Sequence, residues 1–277
     1  MKNWKLNPES KDVAKYVECY WFLEKEPSDI GSNHPQLNPD PHAHLILSNT
    51  GYKYHYEHNH VFQQGHGSHW IFPHINTFTM DHSEPFRIMG IKFKVGALYS
   101  FKTCLPDFKL DAVVPVGINE LESLLASYGE MLLSDSLNDP EEVCNKLDEI
   151  FKPLLHQAIE DKHSELVRNI LPLFDQTQIA QIGTSLQRSQ RTIERSFLKV
   201  TNLTLKQYQS VSRLENILNY LYKRNDQIDW ADIAAKFEFS DQPHLIRYLK
   251  SAIGKTPGEY VKQRDLTIDI YGDFEIQ

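Results

Sequence analysis

A chain of 277 residues, 40% hydrophobic and 24% charged, fits two globular domains of ordinary size, each able to bury its own core. No apolar run approaches the roughly 20 residues a membrane helix needs, and residues 1–8 lack the apolar core of a secretory signal. The net charge of −8 excludes a uniformly basic nucleic-acid binder.

That charge is unevenly spread. Residues 1–163 hold 14 Lys+Arg against 23 Asp+Glu, a charge of −9. Residues 164–264 hold 15 against 10, a charge of +5, and residues 265–277 hold none against 4. Basic charge is thus concentrated in one stretch, as phosphate neutralisation requires. Cys19, Cys104 and Cys144 are odd in number, widely spaced and outside any metal motif. Free, mostly buried thiols in a reducing cytoplasm are expected.

In chain order, residues 1–116 predict a β-rich domain with strands at 16–23, 44–49, 53–56, 68–72, 76–80 and 86–95. These are aromatic or β-branched runs separated by Pro, Gly, Asn and Asp. Their regular spacing suggests a barrel or a cupin-like double-sheet jelly roll. From 119 to about 174 the period turns helical, so residues 117–165 are expected to form a helical linker. Leu121, Leu124, Leu125, Tyr128 and Leu132 make one apolar stripe; Val143, Leu147, Ile150, Leu154 and Leu155 make another. Asp139-Pro140-Glu141-Glu142 reads as a helix start, with a capping Asp, Pro at the first position and acidic residues in the first turn. The stripes fit packing against the β domain or a dimer interface, two compatible readings. In the second reading Leu125 and Leu132 face the partner copy.

Residues 179–260 carry one helical pattern twice. Ile179, Ile182, Gly183, Leu186 and Ser189 match Trp230, Ile233, Ala234, Phe237 and Ser240 at a constant offset of 51 residues. Apolar residues mark one helix face, and a small residue allows a second helix to approach closely. Ser then opens that second helix as its N-cap. Each second helix, from Gln190 and from Asp241, combines an apolar seam with an outer face of Arg, Gln, Glu or His. Such side chains read base edges. Two tandem helix-turn-helix units follow. Between them, residues 206–222 read as one helix with Tyr208, Val211, Leu214, Ile217, Leu218 and Leu221 buried. Its length of roughly 25 Å makes a strut able to hold two recognition helices about one DNA turn apart, roughly 34 Å.

At these residues the chain resembles the AraC/XylS family of bacterial transcription regulators, over about 100 residues at 168–264. The second unit carries the resemblance most fully, through Ala231-Asp232-Ile233-Ala234, Phe237, Phe239-Ser240-Asp241-Gln242, His244, Arg247, Lys250 and Gly254-Lys255-Thr256-Pro257-Gly258-Glu259-Tyr260. The first keeps Ser189, Arg191-Thr192-Ile193-Glu194-Arg195, Phe197, Leu203-Thr204 and Gln207-Tyr208. Gln187 and Glu238 replace the turn Gly usual in the family, and Leu205 replaces a usual Pro. A shorter match, Arg87-Ile88-Met89-Gly90-Ile91-Lys92-Phe93 with Gly96-Ala97-Leu98-Tyr99, resembles the end of the sensory domain in one subgroup. The resemblance implies an α+β protein. A cupin-like sensor at 1–116 and the linker precede an all-α DNA-binding domain at 166–264, followed by an acidic tail at 265–277. One monomer would read two successive major grooves.

In the first recognition helix Ile193 and Phe197 should face inward, leaving Gln190, Arg191, Glu194 and Arg195 outside. By resemblance, Arg191, Glu194 and Arg195 occupy base-contacting positions. In the second, Leu245 and Leu249 face inward and Gln242, His244 and Arg247 face outward. Pro243 offers only apolar contact there. Lys199, Lys206, Lys250, Lys255 and Thr256 lie at helix ends and suit phosphates, with the hydroxyls of Ser189 and Ser240.

Ten of the 13 histidines lie between His34 and His82. His42-Ala43-His44 has the HxH spacing of metal cupins, making those two residues weak metal candidates. The following Leu45-Ile46-Leu47-Ser48-Asn49 supplies no carboxylate, however, so no metal or other cofactor is expected. His55, His58 and His60 suggest a polar hairpin tip, and a pH-sensitive surface is a further reading. No nucleophile elbow, P-loop or dinucleotide fingerprint appears. The reading of a metal-dependent cupin enzyme with an accessory DNA-binding domain is therefore secondary, and no enzymatic activity is expected. The expected partners are double-stranded promoter DNA, a second copy of the chain, RNA polymerase and a small-molecule effector.

Overall fold

A computed structural model describes residues 1–30, 32–101, 109–117, 120–174, 176–222, 229–254, 256 and 258–259, with only the backbone at 120–127 and 222. Its N-terminal part is two antiparallel sheets. The larger runs β1 (Lys2–Leu6), β2 (Val17–Lys25), β9 (Phe86–Phe93), β4 (His44–Ser48), β7 (His69–Ile71) and β10 (Val113–Pro115), in that spatial order. The smaller runs β3 (Gln36–Leu37), β8 (Phe78–Met80), β5 (Lys53–His58) and β6 (Val61–His66).

Side-chain alternation in β2 explains the layering. Cys19, Trp21 and Leu23 point between the sheets, joining Ile46, Tyr54, Tyr56, Phe78 and Ile88. Tyr20 and Phe22 point to the opposite face, where they meet Leu45, Leu47, Met89 and Ile91. A strand buried on both faces reads as a continuous apolar run, and residues 19–23 do so.

The outer face is covered by α2 (Glu120–Asp135) and α3 (Pro140–Leu155). Leu132, Leu133, Val143, Leu147, Ile150, Phe151 and Leu154 enter the same core as Tyr20 and Phe22. Packing against the β domain thus accounts for the second stripe and for Leu132 of the first. Asp139 caps α3 by accepting from the Glu142 N–H at 3.0 Å, with Pro140 at the first position. Leu132 is 0% exposed, which removes it from any surface between copies; Tyr128 and Met131, at 41% and 40%, hold the outside. The side chains of Leu121, Leu124 and Leu125 lie outside the described residues, as does Cys104. Cys19 and Cys144 are free and buried, and burial pushes the Cys144 thiol up to about 12.

Four strands were not expected: β1, β3, β6 and β10. Their patterns are weak for a physical reason. Strands β1, β3, β6 and β10 are the edges of their sheets or very short, so few of their side chains are buried. The hairpin tip expected at His55, His58 and His60 is present between β5 and β6. Asn59 and His60 turn it at φ of 48° and 63°.

The C-terminal part is helical: α4 (Lys162–Ile170), α5 (Ile179–Ser185), α6 (Gln190–Thr201), α7 (Leu205–Tyr222), α8 (Trp230–Lys236) and α9 (Gln242–Ile253). Two cores divide it. Val167, Ile170, Ile182, Ile193, Phe197, Val200, Leu203 and Leu205 form the first, together with Tyr99 from α1 (Ala97–Ser100) in the N-terminal part. Leu214, Ile217, Leu218, Leu221, Ile233, Ala234, Phe239, Leu245, Leu249 and Ile253 form the second. Helix α7 contributes to both and is the expected strut, one residue longer than its sequence limits; Tyr208 is only half-buried. The whole is a mixed α+β architecture. Among the described residues no helix is long and apolar enough to cross a membrane.

Candidate nucleic-acid interface

In the first unit, a Cβ on Gly183 would lie 2.8 Å from the Arg188 carbonyl oxygen. Only glycine lets the α5–α6 turn close this tightly. Ala234 holds the matching place in α8 and is 2% exposed. The turns themselves use left-handed residues, Gln187 at φ 52° and Glu238 at φ 58°. Each non-glycine residue there costs about 1 kcal/mol. Both cores offset that cost.

Helix α6 starts as expected: the Ser189 hydroxyl accepts from the Thr192 N–H at 3.2 Å. The second helix starts one residue later than its pattern predicts. Its N-cap is Asp241, which accepts from the His244 N–H at 2.7 Å, with Pro243 in the first turn. Asp is at least as good a cap as Ser, and the shift frees the Ser240 hydroxyl to bond the His244 Nδ1 at 3.1 Å.

On α6, Ile193 and Phe197 are fully buried and Arg191, Glu194 and Arg195 are exposed. Gln190 departs from expectation. It is half-buried, its Oε1 lies against Gly183, and its Nε2 donates to Glu194 at 3.2 Å. It orients Glu194 rather than standing free. Leu198, 47% exposed, continues the row of Arg191, Glu194 and Arg195 one turn further. Sequence reasoning missed it, although its place seven residues after Arg191 puts it on the same face. An exposed apolar side chain in such a row suits a thymine methyl group.

On α9, Leu245 and Leu249 are fully buried, while Gln242, Pro243, His244, Arg247 and Lys250 are exposed. The Phe239 ring meets His244 edge-on at 5.1 Å, fixing the imidazole against the turn. The exposed guanidinium groups of Arg191, Arg195 and Arg247 have no carboxylate partner among the described residues.

The phosphate candidates are placed less uniformly. Lys206 and Lys250 are exposed, and Lys206 lines a cleft of about 580 Å3 between the units with Arg213, Lys236 and Tyr248. Lys199 is exposed but lies 5.6 Å from the centre of the Tyr99 ring, toward the N-terminal part. The Thr256 hydroxyl accepts from the Glu259 N–H at 3.3 Å and so acts as a helix cap. Lys255 and the tail 265–277 lie outside the described residues. Within the second unit, Arg213 bonds the Phe237 carbonyl and stacks on Phe239 at 3.8 Å. Tyr248 donates to the Ser210 carbonyl at 2.6 Å, so α8 and α9 are tied to α7 at two points.

The histidine-rich region resolves into a buried polar cluster built on Asp40, a residue the sequence reading passed over. His42 Nδ1 lies 2.6 Å from Asp40 Oδ1, His44 Nε2 lies 3.0 Å from Oδ2, and the Lys92 ammonium lies 3.4 Å from Oδ2. Burial opposes ionisation of Asp40, but Lys92, His42 and His44 outweigh it and hold the carboxyl well below its ordinary range. Burial pushes His44 and His69 down to about 4 and His82 to about 3, and it lowers His74. Burial thus favours the neutral form of these four imidazoles. Among the described residues no group of three His, Cys, Asp or Glu side chains is placed to hold a metal ion.

The N-terminal part and α4 are joined through Glu160. Its carboxylate accepts from Tyr16 at 2.7 Å, Ser164 at 2.7 Å and Arg168 at 2.6 Å, and from Ser100 at 3.2 Å. Burial raises its pKa, but these donors and the Arg168 charge dominate and bring it to about 2. Beside it lies a cavity of about 420 Å3 lined by Lys15, Lys94, Gly96, Val167, Arg168 and Val200.

Comparison with known proteins agrees with this geometry. Residues 182–263 match the family described as a helix-turn-helix domain. Residues 6–107 match a domain of unknown function, DUF6597. No match is found among curated proteins. Solved structures of similar shape include ToxT from Vibrio cholerae, 12% identical, covering 87% of this chain and 98% of that chain with a TM-score of 0.46. ToxT bound to (E)-4-(8-methylnaphthalen-1-yl)but-3-enoic acid is 11% identical, with coverage of 95% and 99% and a TM-score of 0.49. The AraC-like transcriptional activator CuxR is 10% identical, with coverage of 77% and 86% and a TM-score of 0.31. All three scores are below 0.5, so the assignment rests on residues 182–263 and on the two units built there. Those residues form a tandem helix-turn-helix domain, which makes the chain a DNA-binding transcription regulator.

Proposed function

We propose that one monomer reads two successive major grooves of promoter DNA, with α6 in one and α9 in the next. The supporting observation is a pair of exposed faces whose Arg side chains form no ion pair among the described residues, on two capped helices joined by the single helix α7. Arg191, Glu194 and Arg195 read bases in the first groove; Gln242, His244 and Arg247 read them in the second. Lys206 and Lys250 bind phosphates, as do Ser189, Ser240 and the last-turn Lys199; Lys255 and Thr256 extend that set by sequence.

Affinity of the full chain for a duplex selected from a randomised library should fall roughly 10³-fold between about 50 and 200 mM salt, the loss for about six phosphate contacts. A salt-independent affinity would rule out the basic surface as the binding face.

The chain acts in the cytoplasm as a homodimer, and residues 1–116 and the helices up to 165 control it. Support for the dimer comes from Tyr128 and Met131, exposed on α2 beside a cavity reaching Ile150 and Pro153 on α3. Met131→Asp should leave the melting temperature unchanged and shift sedimentation toward monomer; an unchanged mass would exclude this face. A small effector at the Glu160 junction would press directly on α6, because Val200 lines that cavity. A ligand-induced thermal shift of the full chain bears on it. RNA polymerase is the remaining partner of such a regulator, and a shift of the promoter-bound chain on adding polymerase tests it.

A further inference from the structure

One segment of the N-terminal part touches both helix-turn-helix units. Ile75 packs against the first unit's core. Two residues on, the Thr77 hydroxyl donates to the Ala252 carbonyl in the last turn of α9 at 2.7 Å. That carbonyl belongs to the final four of the helix, which have no intrahelical donor. Thr77 therefore satisfies a group the helix cannot satisfy itself.

The segment between these contacts is held at every residue. His74 exchanges two backbone hydrogen bonds with Asp40, at 2.9 and 3.0 Å, and Asp40 is the centre of the buried cluster with Lys92. The Asp111 carboxylate accepts from the N–H groups of Ile75 and Asn76 at 2.9 and 3.1 Å. His58 Nδ1 binds the Thr77 carbonyl at 3.0 Å, and β8 begins at the next residue. A loop fixed this completely transmits position rather than absorbing it.

We propose that residues 74–77 set the placement of the second recognition helix relative to the first, with Thr77 as the positioning residue. It meets neither base nor phosphate and acts through α9. The tie from Tyr248 to Ser210 holds the middle of α9 on α7, and Thr77 holds its C-terminal end. Leu245, Leu249 and Ile253 pack α9 into the second core, and Thr77 ties the end of that packed unit to the N-terminal part. Spacing between the half-sites is thereby measured against the N-terminal part as well as against α7. A change in the Asp40 cluster reaches both units through the same four residues. The inference rests on the reading that each unit occupies its own groove.

The test uses the full chain and duplexes selected from a randomised library by the wild-type protein. Affinity is measured for the selected site and for versions with one base pair inserted or removed between its halves. Thr77→Val keeps the shape and removes the donor; Thr77→Ser keeps the donor. The penalty for altered spacing should shrink roughly two- to tenfold in Thr77→Val, the range one net hydrogen bond supplies, and remain at the wild-type value in Thr77→Ser. An unchanged penalty in Thr77→Val, or an equal loss at every spacing, overturns the inference while leaving two-groove reading intact. Selection of a site without two halves overturns both.

Discussion

Arg195→Ala and Arg247→Ala are each expected to relax sequence preference in a different half-site, the two lying about 10 base pairs apart. Each variant should lose about 1–3 kcal/mol of discrimination at the base it reads, roughly a fivefold to 150-fold change in relative affinity. The expectation follows from the exposed positions of the two side chains on α6 and α9 and from their lack of a carboxylate partner among the described residues. A guanidinium tied to a protein carboxylate would have to break that pair before binding guanine; these two have no such competition. Lys250→Ala is the control. An exposed lysine in the last turn of α9 suits a phosphate, so its loss should weaken all sequences about equally and reduce the salt dependence by about one contact. Footprints and selected sequences for the three variants decide the matter. Both arginine effects in one half-site would show that a single monomer does not span two grooves.

Legibility in the sequence followed burial. The core faces of α6, α7 and α9 were readable because Ile193, Phe197, Leu214, Ile217, Leu245 and Leu249 fall at helical period and are all buried. The left-handed turns at Gln187 and Glu238 were readable as positions where glycine was missing. The start of α9 was misplaced by one residue because Ser240 and Asp241 are both good caps, and a pattern alone does not choose between neighbours. The edge strands β1 and β6 were missed because edges bury one face poorly and lose the alternation that marks a strand. Asp40 was missed because it precedes the His42-Ala43-His44 pair, whereas the metal-cupin pattern places its carboxylate after the histidines. Its third partner, Lys92, lies 52 residues away in β9, a distance no local pattern spans. Leu132 stayed open between the β domain and a partner copy because an apolar stripe does not say what covers it; here the chain's own sheet does.

The same limit applies to domain boundaries, and Tyr99→Ala exposes it. Tyr99 belongs to the N-terminal part by sequence, yet it is 6% exposed within the first unit's core, among Val167, Ile170, Ile193, Phe197 and Val200. Its hydroxyl donates to Asp161 at 2.7 Å, and Asp161 caps α4 by accepting from the N–H groups of His163 and Ser164. The helix carrying it starts at Gly96, at φ 78°, where a Cβ would lie 2.7 Å from Val200. The two parts approach there without room for a methyl group. Removing a buried aromatic ring should cost about 3–5 kcal/mol. Tyr99→Phe, which keeps the ring and loses only the bond to Asp161, should cost about 0.5–1.5 kcal/mol. The diagnostic consequence is where the loss falls. Hydrogen exchange in Tyr99→Ala should speed up in α4 and α6, more than 60 residues away in sequence, while β2 and β9 stay protected. A fragment beginning at residue 166 leaves Tyr99, Ile75 and Leu110 behind and should show the same weakened first unit, with base reading by α6 impaired before that by α9. Faster exchange confined to the sheets, with α6 unaffected, would mean that the first unit is an independent domain and that Tyr99 merely rests against it.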